Sequence, residues 1–106
     1  MTWYLPFLSF LSGLFLANTV PHFVKGISGD PFPSPFSKPP GKGLSSPLLN
    51  MIWSLFNLIV GHFLFVASGV SLYHLNASLI SFYIAVAFIG IMLAVHFEKK
   101  DKENRK

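Results

Sequence analysis

The stretch LLNMIWSLFNLIVGHFLFVASGV, residues 48–70, contains no charged side chain. A helix needs about 20 apolar residues to cross a hydrocarbon core of about 30 Å. In lipid, every backbone N–H and C=O must also be paired within its own segment. Residues 48–70 therefore predict a transmembrane α-helix. Two further charge-free stretches read the same way: WYLPFLSFLSGLFLANTVPHFV, residues 3–24, and ASLISFYIAVAFIGIMLAVHF, residues 77–97. The fold class is thus all-α, a polytopic membrane protein of three transmembrane helices in a single domain, residues 1–106.

Composition leads to the same class. The 106-residue chain is 52% apolar and 11% charged, whereas soluble domains carry about 25% charged residues. Twelve phenylalanines, three tyrosines and two tryptophans are more than so small a globule can hide from water. The absence of cysteine excludes a disulfide framework, a thiolate metal site and a cysteine nucleophile. The net charge of +4 does not form a nucleic-acid surface. Lys99, Lys100, Lys102, Arg105 and Lys106 crowd the C-terminus, and Lys25, Lys38 and Lys42 flank the first connection. Nucleic acid is not an expected partner, and the lipid bilayer is.

Charge placement predicts orientation. The tail 98–106 holds five basic and three acidic residues, the connection 25–47 holds three lysines and one aspartate, and the turn 71–76 holds no lysine or arginine. With three spans the tail and the long connection lie on one side, and the positive-inside rule makes that side cytoplasmic. The N-terminus then lies outside, with Trp3, Tyr4 and Tyr73 at the outer interface, where amphipathic rings are favoured. The first span lacks a basic leading region and exceeds the usual apolar core of a signal peptide, so it is expected to remain as a span.

Helices in lipid associate through close backbone approach. Ser9, Gly13 and Ala17 in the first span, Gly61 in the second, and Gly90 and Ala94 in the third are the candidate packing positions. Pro21 predicts a kink, or an end to the first helix near Val20. Asn57 and His62 are the intramembrane polar candidates, since polar groups at that depth are uncommon and often functional. They stand about 140° apart around a helix, so they do not share a face. The plain reading of His62 is a neutral imidazole bonded to a neighbouring helix. The functional readings are proton transfer, ligation or a conduction path. His22 and His96 fall at similar depth near the cytoplasmic side and form a candidate ligand pair. No cofactor or metal is expected otherwise, because three or four ligands are wanted for a metal site. Paired carboxylates, a nucleophile elbow and a phosphate-binding loop are all missing, so enzyme is the weaker class.

The connection GDPFPSPFSKPPGKGLSSP, residues 29–47, carries six of the eight prolines. A residue before proline is pushed to extended backbone, so 30–35 predicts an extended or polyproline-like run. A turn is expected at Pro40-Gly41. Ser45 or Ser46 is placed to cap the second helix, with Pro47 in its first turn. A connection this long between adjacent helices exceeds the usual 2–8 residues, and its aromatic content argues against disorder. The expectation is an ordered cytoplasmic loop, 25–47, held to the bundle by Phe32 and Phe36. Asp30, Lys38 and Lys42 are its charged candidates, Asp30 in a turn beside Gly29.

The run PHFVKGISGDPFPSPFSKPPGKGLSSP, residues 21–47, followed by NMIWSLFNLIVG, residues 50–61, resembles a family of small uncharacterised bacterial membrane proteins. They share a proline- and glycine-rich loop between their first two spans. The resemblance covers about the first 60 residues and implies a bacterial inner-membrane setting and a specialised loop. It carries over no functional residue. The expected role is an accessory or interaction subunit that binds another membrane protein or itself. The alternative is an oligomeric channel or transporter with His62 and Asn57 lining its path. A third reading is a haem- or quinone-associated redox subunit using His22 and His96.

Overall fold

The computed structural model describes residues 3–104, with side chains described through Lys99. The basic side chains of the tail from Lys100 onward lie outside the described residues. Three helices follow one another: α1, Leu5–Ile27; α2, Pro47–Ala67; α3, Ala77–Asn104. No strand forms among the described residues, and all three helices are long and apolar enough to cross a membrane. At 1.5 Å per residue, 21 to 23 residues give about 31–35 Å, the thickness of the hydrocarbon core.

The boundaries follow local chemistry. At the start of α2, Ser46 accepts a hydrogen bond from Leu49 N–H at 3.1 Å, with Pro47 in the first turn. Asn76 Oδ1 accepts from Leu79 N–H at 2.8 Å and so starts α3. At the end of α1, Gly29 takes φ +73°, a left-handed conformation cheap only for glycine. That lets Gly29 N–H reach Gly26 O and Asp30 N–H reach Lys25 O, closing a Schellman cap.

Two expectations need correction. Pro21 does not end α1 near Val20, because the helix runs through it to Ile27. The turn beyond Pro21 is held by tertiary contact: a Cβ on Gly26 would lie 2.9 Å from Met51 N and 3.0 Å from Pro47 O. Nor does α3 stop at residue 97. It continues to Asn104, since charge ends a membrane span but Glu98–Asn104 contains no helix breaker.

Burial is inverted relative to a soluble domain. Among the described residues only Leu79 and Ala85 are buried hydrophobics, whereas serines, Thr19, His22, Asn50 and Asn57 are buried polar ones. Phe7, Phe63, Ile91 and most other large apolar side chains face outward. Each helix thus turns its polar or small stripe inward and its greasy face to the surroundings, as a lipid solvent requires.

α1 lies between the other two. Both pack on it, and among the described residues no Cα of α2 comes within 8 Å of one in α3. Gly13 sits against α3, where an added Cβ would stand 2.7 Å from Phe82 O and 2.8 Å from Ala85 Cβ. Ser81 Oγ–H donates across the same seam to Pro6 O at 2.8 Å. On the α2 side, Gly61 fits against Leu16, and Ser12 Oγ–H donates to Gly61 O at 2.8 Å. Ser9 is buried but donates within its own helix, to Pro6 O.

Candidate functional site

The end of the bundle that carries the 28–46 connection holds most of the buried polar chemistry. The connection is a hydrogen-bonded loop. Phe32 and Ser45 exchange both backbone bonds as an antiparallel bridge, at 3.1 and 3.0 Å. Inside the loop, Ser34 and Ser45 hydroxyls share a bond of 2.6 Å, and Ser37 Oγ–H donates to Ser34 O at 2.7 Å. The hydroxyls replace partners that prolines cannot supply, because proline has no N–H.

Asn50, in the first turns of α2, fastens this loop to the helices. Its Nδ2 stands 2.9 Å from Phe32 O, 3.3 Å from Ser45 O and 3.1 Å from Ser46 O. Three carbonyls around one atom identify it as the donor, so the other amide atom is the acceptor. His22 Nδ1, 2.7 Å from Asn50 Oδ1, must therefore carry the proton and donate. That fixes the tautomer of a neutral His22 and leaves Nε2 as an acceptor. Phe32 lies edge-on to the His22 ring at 5.5 Å and against Phe97 at 4.7 Å. Phe36 stands edge-on to Trp53 at 5.2 Å.

Beneath the loop is a pocket of about 350 Å³ whose lining includes Asn18 and His22 of α1, Trp53 of α2 and His96 of α3. Pro33, Ser34, Pro35, Pro40 and Gly41 form its loop wall. His96 Nε2 lies 2.9 Å from Gly41 O, so Nε2–H donates and Nδ1 is left as an acceptor. Asn57 Nδ2 donates to Trp53 O at 2.7 Å, which makes Asn57 Oδ1 the acceptor for Asn18 Nδ2 at 3.1 Å. Asn18 Oδ1 is left over. Trp53 Nε1–H is buried with no acceptor among the described residues, a deficit worth about 1–3 kcal/mol. Among the described residues the pocket lining holds no carboxylate and no Lys or Arg. It can pair a neutral hydrogen-bonding group, and two imidazoles fall short of a metal centre: no cluster of three His, Cys, Asp or Glu occurs among the described residues.

The structure brings His22 and His96 to one pocket and separates Asn57 from His62. Asn57 is buried against α1, whereas His62 is exposed on the outer surface of α2 beside Phe63. Asp30, Lys38 and Lys42 are exposed on the loop. Ala17, Gly90 and Ala94 border an open cleft between α1 and α3, and a Cβ on Gly90 would meet nothing within 4 Å. Gly90 therefore makes no close helix contact of the kind its size suggests. Asn50, Asn18 and Trp53 escape a reading confined to the middles of the spans. A signal for Asn50 is present: Asn50, Ser54, Asn57 and Gly61 are all buried, and their 4-3-4 spacing lines one helix face.

Comparison of the chain with protein-family models, with curated proteins and with solved structures returns no match.

Proposed function

We propose that this chain is an accessory subunit of the bacterial inner membrane whose loop docks on another membrane protein. Its N-terminus lies outside, and its loop and tail lie in the cytoplasm. The observation that carries the reading is the fastening of the loop by Asn50 to Phe32, Ser45 and Ser46. A loop ordered in advance loses little conformational freedom on binding, so more of its contact energy appears as affinity. Fixed in this way, Phe36 and Leu44 stay 57% and 59% exposed, with Lys38 and Lys42 exposed nearby. An apolar pair among cations suits a partner with an acidic rim around an apolar patch.

Orientation is checked first, and the chain's lack of cysteine makes it simple. In intact cells Tyr73→Cys reacts with an impermeant maleimide and Lys42→Cys does not; the reverse pattern overturns the topology. Docking is then checked with a photo-crosslinking residue at Leu44 in native membranes. One adduct of defined mass is expected, lost in Asn50→Leu and absent when the probe replaces Phe63. Adducts to lipid alone at Leu44 overturn the docking role.

A further inference from the structure

The pocket under the loop borders a second, wholly different space. Leu93 and Phe97 line both the pocket and a cleft of about 390 Å³ between α1 and α3. The rest of that cleft is Ala17, Val20, Pro21, Phe32, Gly90 and Ala94, without a charged or amide side chain. A Cβ added at Gly90 would find open space, and the Phe32–Phe97 ring pair is part of the cleft's lining. In a bilayer a groove of this kind is filled by hydrocarbon.

We infer that the two adjoining spaces bind a neutral amphiphile, its hydroxyl-bearing head in the pocket and its hydrocarbon tail in the α1–α3 groove. The head must be a donor because the pocket is rich in acceptors. His22 is 95% buried, being 5% exposed, and its Nε2 has no partner among the described residues. His96 Nδ1 and Asn18 Oδ1 are acceptors in the same lining. A hydroxyl group donates to an imidazole of this kind. A neutral head suits the lining, which among the described residues has no cation to pair a phosphate and no carboxylate to pair an ammonium. Reduced isoprenoid quinols and diacylglycerols share this chemistry. The site is separate from the outward face of the loop, so it does not depend on the docking role.

The test uses the full chain in nanodiscs and native mass spectrometry. It is offered decylquinol under reductant, dioctanoylglycerol, or dioctanoyl phosphatidylglycerol as an anionic control. Gly90→Leu fills the groove from a position with free space, so it blocks the tail without disturbing the bundle; helix content by circular dichroism verifies that. The expected result is a one-to-one adduct with decylquinol, with dioctanoylglycerol or with both, at least tenfold depleted in Gly90→Leu. The identity of the retained probe tells which source supplies the head group. Absence of both adducts, equal retention of the anionic lipid, or adducts indifferent to Gly90→Leu would each overturn the inference.

Discussion

The two seams of α1 are built on different physics. The seam with α2 is wired along its length: Ser12 to Gly61 O, Asn18 to Asn57, His22 to Asn50. The seam with α3 has a close backbone approach at Gly13 and Ala85, with the Ser81 bond to Pro6 O beside it. Toward the loop a cleft lined by Ala17, Val20, Gly90 and Ala94 runs alongside it. Interhelical side-chain bonds in membranes average about 0.6 kcal/mol each, so the wired seam is not greatly stronger bond for bond. Its advantage is register: a one-residue slip of α2 would separate every pair. The α3 seam has no such ladder, and at the loop end α3 is held through the loop, by His96 to Gly41 O and Phe97 to Phe32.

The comparison is broken most severely at Gly13. Gly13→Val puts side-chain atoms where Phe82 O and Ala85 already stand, and backbone cannot yield cheaply. A loss of about 3 kcal/mol is expected, read from SDS titration in mixed micelles by far-ultraviolet circular dichroism, with α3 separating while α1 and α2 stay paired. Asn50→Leu attacks the wired seam at its hub. It strands His22 Nδ1–H and leaves the Phe32, Ser45 and Ser46 carbonyls with their backbone donors alone, at a cost of about 2 kcal/mol. Because the loop is tied to the same amide, trypsin should cut after Lys42 about tenfold faster or more. An unchanged cleavage rate would show that the loop holds itself.

Asn57→Leu removes the next rung and sharpens the comparison. A loss of only about 0.6 kcal/mol is expected in the same titration, since Asn18 borders the pocket and keeps access to other partners. A loss as large as that of Asn50→Leu would mean that the Asn18–Asn57 rung carries register alone. Gly90→Ala should have the smallest effect, within about 0.5 kcal/mol of the parent. Marked destabilisation there would show that the cleft at Gly90 is filled.

Much of the architecture is legible in the chain. Three charge-free runs of span length demand helices in lipid, and Ser46-Pro47 announces the start of α2. The boundaries at Pro21 and Phe97 are less legible. A proline inside a helix is decided by whether neighbours hold the turn after it, and Gly26 against Met51 does so here. The site is half legible. His22 and His96 stand out as paired imidazoles at one depth, but their pocket exists only because the loop folds back between them. His62 stands out equally and is placed outside.

Local chemistry and the lipid solvent thus act through nearest neighbours and segment length, and they determine the number of spans, their helical state and the caps at their ends. Which small residues touch is another matter. Gly13 and Gly90 look alike in the chain, yet one lies in backbone contact and the other beside open space. Likewise Asn57 is buried and His62 is not. Those assignments depend on the rotation and tilt of each helix against α1, quantities set by summed long-range contacts, and only the tertiary structure decides them.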